Sequence, residues 1–152
     1  MAELRRLLED AGHEAVTTYI ASGNVLLRSP ASRDEIAASL EGTIASAFGV
    51  TTVAIMRTPA ELARVVAAHP FGKDTSTSFV TFLAQKPRDA GALVELVAPP
   101  EEVAVDGTHV YTRYPAGYRN ARVTAALIER KLGVPGTARN WRTVAKLAEL
   151  AR

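Results

Sequence analysis

The first residues of the chain place their apolar side chains on one helical face. Leu4, Leu7, Leu8 and Ala11 share this face, and Gly12 follows as a stop signal, so the pattern predicts a helix over residues 2–11. Two short β-prone runs follow at 15–20 and 25–28. The tripeptide Ser22-Gly23-Asn24 between them tolerates the positive φ of a tight connection, which predicts a hairpin.

Two capping boxes mark the next helices. Ser32 with Glu35 opens a predicted helix that runs to about residue 48, and Thr58 with Glu61, with proline at the first helical position, opens one that runs to about residue 68. A β-prone run at 51–56 between them predicts a strand.

The region after residue 72 begins with a polar stretch and then continues as alternating elements. Residues 73–77 have the composition of a linker, and 78–85 is apolar on both faces, as expected of a central strand. A helix is predicted at 87–97, a hairpin of strands at 102–105 and 109–114, a helix at 121–132, and a last helix that Asn140 caps.

This order of elements predicts an α+β protein with two ferredoxin-like (split β-α-β) halves in tandem. The first half spans 1–72, and the second spans 78–152 and carries an extra C-terminal helix in the place of its last strand. The first half lacks its opening strand, which in this pattern lies in the middle of the sheet. We therefore expect that another chain supplies that strand or that the natural protein begins further upstream.

Several strings resemble the bacterial family known as domain of unknown function 1697. They are YIASGNVLL at 19–27, HPF at 69–71, YPAGY at 114–118 and, as the most specific, KLGVPGTARNWRTVAKLAEL at 131–150. The resemblance covers essentially the whole chain and implies two ferredoxin-like subdomains, with no established activity. The family typically begins with a string resembling LLRGINVGG, which is absent here, and it has serine and lysine where this chain has Ala121 and Arg122.

Composition narrows the class of protein. The 152 residues are 47% apolar and 22% charged, as in a soluble globular chain, and no apolar stretch is long enough to span a membrane. The absence of cysteine suits a cytoplasmic location. The three histidines form no recognisable catalytic or metal-ligating pattern and no nucleotide-binding loop is present, so enzymatic activity stays open, and no metal and no cofactor is expected.

Charge is distributed unevenly. Residues 1–106 hold nine Lys/Arg against fourteen Asp/Glu, whereas residues 107–152 hold nine against two. A basic region of this kind fits an anionic partner, either nucleic acid or a phosphorylated ligand, although the two regions can also simply attract each other or solvate separate faces.

The basic region supplies the candidate binding residues. Charge neutralisation is assigned to Arg113, Arg119, Arg122, Arg139, Arg142 and Lys146, with Tyr111 or Tyr118 as a stacking face on an open sheet. Thr137 and Asn140 lead into a helix N-terminus that favours an anion. The simpler interpretation is that Asn140 only caps this helix, Trp141 packs into the core and Arg139 pairs with a carboxylate.

The preferred hypothesis is a binding module for an anionic partner, with nucleic acid favoured. One alternative is a small-molecule enzyme or sensor whose pocket lies between the halves, near Asn24, His69, Tyr118, Arg122, Arg139 and Asn140. Another is a structural protein that forms a homodimer through its sheet edges.

Overall fold

The structure, a computed structural model, describes residues 2–19 and 23–152. It divides into two compact units, residues 1–56 and residues 57–152. Both contain helices and antiparallel strands, so the α+β class is confirmed. The role of 73–77 as a linker stays a prediction.

Unit 1 packs two helices against one hairpin. Its elements are α1 (Ala2–Asp10), β1 (Glu14–Tyr19), β2 (Asn24–Arg28) and α2 (Arg33–Phe48). Ser32 caps α2 by accepting a hydrogen bond from the backbone N–H of Glu35, and Gly49 ends that helix in the left-handed conformation. The helices and the hairpin therefore match the prediction, while Ser22 of the proposed turn lies outside the described residues.

The predicted strand at 51–56 is wrong, because these residues form no regular secondary structure. A β-prone run becomes a strand only when a neighbour satisfies its backbone groups. Here the N–H of Ala54 instead donates to Oε1 of Glu41 at 3.0 Å, while Ala54 and Met56 pack against the core of the unit.

Unit 2 is built on a four-stranded antiparallel sheet with the order β4-β5-β3-β6. Its elements are α3 (Pro59–Ala67), β3 (Ser78–Leu83), α4 (Gly91–Val94), β4 (Glu102–Asp106), β5 (His109–Arg113), α5 (Ala125–Leu132), β6 (Gly136–Asn140) and α6 (Trp141–Leu150). Thr58 and Glu61 form the predicted capping box at α3.

Helices cover both faces of the sheet in unit 2. On one face, Leu83 and Val110 pack with Ile128 and Leu132 of α5 and with Leu93 of α4. On the other face lie α3 and α6, which pack against each other. The central strand β3 is consequently buried along almost its whole length, as its apolar sequence predicts.

Three predictions in unit 2 need correction. The helix expected at 87–97 is only the four residues of α4, and the one expected at 121–132 begins at Ala125 with Thr124 as its N-cap. The last strand was missed, since β6 lies where a direct passage into the final helix was expected. The sequence GTARN shows no apolar alternation, so it carries no strand signal.

Gly136 lets β6 approach β3 closely. A Cβ at this position would lie 3.0 Å from Cγ2 of Thr81 and 3.1 Å from Cδ2 of Leu83. In this part of the sheet, a larger residue would therefore require the side chains of Thr81 and Leu83 to shift.

No helix in the part of the chain that the structure describes combines the length and apolarity needed to cross a bilayer.

Candidate functional site

Three aromatic rings form a cluster at the N-terminal end of β3. Phe79, Tyr114 and Tyr118, here called the aromatic triad, have ring centroids 5.1–5.4 Å apart. Tyr118 stacks on Phe79 with an interplanar angle of 29° and remains 43% exposed. Tyr114 is buried, and its hydroxyl donates to the carbonyl of Val123 at 2.6 Å. The triad thus presents one supported aromatic ring to solvent.

A tight turn places Tyr118 over the sheet. The N–H of Gly117 donates to the carbonyl of Tyr114 at 2.8 Å, and Gly117 has a φ of 90°, which glycine adopts without strain. The far end of the loop is held by Glu101, whose two carboxylate oxygens accept from the N–H groups of Arg122 and Val123 at 2.8 and 2.9 Å. Hydrogen bonds therefore hold the loop that contains the YPAGY string at both of its ends.

The N-terminus of α6 lies at the same end of the sheet. Phe79 pairs across the ladder with Asn140, which caps α6 by accepting from the N–H of Thr143 at 2.9 Å. Arg142 is exposed in the first turn of that helix. The fold thus brings the 114–121 loop and the start of α6 to one end of the sheet, although they are separated in sequence.

The six predicted cations fall into two groups. Three are engaged within the protein: Arg113 forms an ion pair with Glu102 at 2.7 Å, Lys146 forms one with Glu149 at 3.5 Å, and Arg139 is bonded within β6. The other three are exposed and make no ion pair with any described residue: Arg119, Arg122 and Arg142. Only this second group offers charge to a partner without first breaking an internal contact.

Arg139 acts within the sheet. Its Nη1 donates to Oγ1 of Thr137 at 2.6 Å and to the carbonyl of Ala138 at 2.8 Å. Burial lowers the pKa of its guanidinium from the ordinary value. Arg139 and Thr137 therefore form a local contact along β6, and the pairing of Arg139 with a carboxylate stays a prediction.

Tyr111 is not a stacking face. It is 2% exposed, and its hydroxyl donates to the carbonyl of Val65 in α3 at 3.0 Å. Burial raises the pKa of its phenol. The expectation of an open aromatic and basic sheet surface is therefore wrong at this position, because α3 covers the face on which Tyr111 lies.

Two of the residues predicted near the alternative pocket, Asn24 and His69, lie in different units. Asn24 is buried in unit 1, where its Nδ2 donates to the carbonyl of Tyr19. In unit 2, Nε2 of His69 lies 2.8 Å from Oγ of Ser78, and its ring centroid is 4.5 Å from that of Trp141. Although a histidine–serine pair can activate a nucleophile, Ser78 is only 1% exposed, so its hydroxyl is out of reach of a substrate.

Sequence reasoning missed a contact between Arg57 and His109. Nε of Arg57 donates to Nε2 of His109 at 2.9 Å, and Nη2 of the same guanidinium donates to the carbonyl of Leu83 at 2.8 Å. Arg57 also lies over the ring of Phe82, 5.6 Å from its centroid. No local motif joins residues so distant in sequence; the contact forms where the segment before α3 meets the end of β3 and the start of β5.

Within residues 2–19 and 23–152, no group of three or more histidine, aspartate or glutamate side chains is arranged to hold a metal ion.

The fold defines this chain as an α+β protein whose second unit carries a four-stranded antiparallel sheet and a supported, exposed tyrosine at one end. A model of the protein family of unknown function DUF1697 matches residues 1–111, and the chain belongs to that family. The string at 131–150 lies beyond the matched range.

The fold is shared with a solved structure. The conserved bacterial protein SP0830 from Streptococcus pneumoniae is 20% identical, with a TM-score of 0.71 over 99% of this chain and 88% of that one. At this identity, the likeness concerns the fold alone. No curated protein matches the sequence significantly.

Proposed function

We propose that this chain is a binding protein for an anionic partner, and that the partner is a single-stranded nucleic acid. The observation that carries the proposal is the exposed ring of Tyr118, which stacks on Phe79. The exposed Arg119 and Arg122 lie in the same loop, and the exposed Arg142 lies at the same end of the sheet. A preformed aromatic platform stacks any base, and neighbouring cations neutralise the phosphates.

The charges at this end of the sheet support the same assignment. Arg119 follows the platform directly, Arg122 lies at the end of the same loop, and Arg142 lies in the first turn of α6. The dipole of a helix N-terminus adds a small favourable potential for a phosphate. Glu101 opposes this potential only in part, because both of its carboxylate oxygens accept hydrogen bonds from the loop.

The proposed fold of unit 2 is the ferredoxin-like split β-α-β arrangement, and we extend it, in incomplete form, to unit 1. The strand order β4-β5-β3-β6 with all neighbours antiparallel supports this proposal for unit 2. Because helices cover both faces of this sheet, the proposed site uses the end of the sheet. A cytoplasmic location, suggested by the absence of cysteine, belongs to the same proposal.

The test is fluorescence anisotropy with labelled single-stranded RNA and DNA over a range of salt concentrations. Tyr118→Ala should weaken binding about 10-fold, since stacking of one base contributes about 1–3 kcal/mol. Each of the variants Arg119→Gln, Arg122→Gln and Arg142→Gln should reduce the slope of log K against log salt by about 0.7.

The matched control is the double variant Arg130→Gln/Lys131→Gln. These exposed cations lie in the last turn of α5, close in sequence to the start of β6 and hence at the other end of the sheet. The control removes twice the charge of a single arginine variant. If the site lies at the proposed end of the sheet, the control should nevertheless change binding less than Arg119→Gln does. Absence of binding at low salt, or equal effects of site and control variants, would refute the proposal.

A further inference from the structure

His109 and Arg57 contact each other at the C-terminal end of β3, away from the aromatic triad. Phe82 pairs with His109 in the ladder, and the two rings meet edge to face at 5.6 Å. The guanidinium of Arg57 covers the ring of Phe82 and donates through Nε to the imidazole. An arginine can only donate, so Nε2 of His109 must be the acceptor and the ring must be neutral.

We propose that Arg57 and His109 form a pH-sensitive latch, closed while the imidazole is neutral and opened when it gains a proton. Protonation at Nε2 removes the acceptor and places two cations in contact. Arg57 also donates to the carbonyls of Leu83 and Thr108 at 2.8 and 3.2 Å. Opening the latch therefore loosens the attachment of the segment before α3 to the end of β3 and to the β4–β5 turn.

The surroundings of the imidazole hold both signs of charge. Burial lowers the pKa of His109 most, followed by the charge of Arg57, and Arg64 of α3 acts in the same direction. Glu61 of α3 and Asp106 of β4 oppose them by raising it. The net direction is a pKa below the ordinary value of 6.5, so the latch is closed at neutral pH and opens in the acid range.

The sign of the stability effect follows from this direction. The unfolded chain takes up the proton near pH 6.5, before the folded protein does. The free energy of unfolding therefore falls as the pH drops below about 6.5. Above that pH, the latch contributes its full stabilisation.

The first test is a nitrogen-15 NMR titration of the whole chain. At pH 7.5, His109 should be the Nδ1-protonated tautomer, and the Nε–H of Arg57 should be protected from solvent exchange. That protection should disappear with the same midpoint as the titration of His109. A neutral His109 protonated on Nε2, or an Arg57 signal that survives the protonation of His109, would overturn the proposal.

Two variants sharpen the test. Arg57→Gln removes the cationic donor and should raise the midpoint of His109, whereas Arg64→Gln, which loses a charge but no bond to His109, should move it much less. His109→Gln offers a carbonyl acceptor that does not titrate, so the Arg57 signal should persist at pH 5. If Arg57→Gln does not fold, the tautomer and the titration of the unaltered protein still decide the question.

Discussion

The two units use the same ingredients, helices packed on antiparallel strands, but bury them to different depths. In unit 1, a two-stranded hairpin leaves most of β1 exposed or half-buried, and Leu8 is the one member of its described core at 0% exposure. In unit 2, β3 has a neighbouring strand on each edge and helices on both faces of the sheet. Its core residues Leu83, Leu93, Val110 and Val144 are all at 0% exposure. A strand becomes a core element when neighbours on both edges and layers on both faces enclose it.

The largest expected effect is that of Leu83→Ala in unit 2. Removing this side chain leaves a cavity between β3, α4 and α5 that the sheet cannot close, so we expect a loss of about 3–5 kcal/mol in the free energy of unfolding. Denaturation followed by the fluorescence of Trp141, the single tryptophan, measures this loss within unit 2.

Leu8→Ala in unit 1 is the matched change, since this leucine is also at 0% exposure. We expect about 2–3 kcal/mol, because a smaller core beside an open hairpin relaxes into the space more easily. Native-state hydrogen exchange of the amides of α1 and β1 measures it. A cost equal to or above that of Leu83→Ala would break the comparison.

Tyr114 should give unit 2 a specific sensitivity to alkali. Burial raises the pKa of its phenol from 10.0 to about 12, so the unfolded state releases this proton first and stability falls between pH 10 and 12, by up to about 3 kcal/mol. Tyr114→Phe should remove this contribution to the slope and leave the part that the raised pKa of Tyr111 causes. It should cost about 1 kcal/mol at neutral pH for the lost hydrogen bond.

The control for this slope is Tyr118→Phe, which removes the exposed hydroxyl of the same triad. It should change the slope much less than Tyr114→Phe does, because burial contributes more to the raised pKa of Tyr114 than the charge of Tyr118 does. Unfolding by denaturant at pH 8 and at pH 10.5 compares the three proteins. An unaltered slope in Tyr114→Phe would contradict the assignment.

The smallest effects belong to the helix caps. Asn140→Ala at α6 and Ser32→Ala at α2 each remove one side-chain acceptor from a helix N-terminus, and each should cost about 1 kcal/mol. Thermal unfolding for α6 and hydrogen exchange for α2 measure the two losses. Similar values would show that the units differ in burial and not in how their helices begin; a clearly larger loss in one unit would argue otherwise.

Local sequence signals are sufficient to predict elements that are stabilised by contacts between residues close together in the sequence. The caps at Ser32, Thr58 and Asn140 and the hairpin predicted from 102 to 114 are confirmed, because each uses hydrogen bonds or φ values within a few residues. The strand β6 could not be predicted from the local sequence, because it forms through pairing with the distant strand β3.

The candidate site was predictable to a similar extent. Tyr118 and the arginines around it could be selected from the sequence because basic and aromatic residues alternate there. The burial of Tyr111 could not be predicted in this way. The alternation of a β-strand shows which residues share a face of the sheet, but it does not show that α3 covers the face on which Tyr111 lies. The Arg57–His109 contact likewise depends on tertiary structure, because the segment before α3 must lie against the end of β3 and the start of β5.

Gly136 has a further consequence for how the last strand finds its place. A slip of β6 by two residues would keep its inward and outward faces but would bring Val134 or Ala138 opposite Leu83. A methyl group there would lie 3.0–3.1 Å from the side chains of Thr81 and Leu83, which would have to shift to admit it. The absence of a side chain at position 136 thus favours the observed register of β6 against β3. Asn140 sets the start of α6 by capping it, and the register of β6 places that start, and with it Arg142, at the end of the sheet.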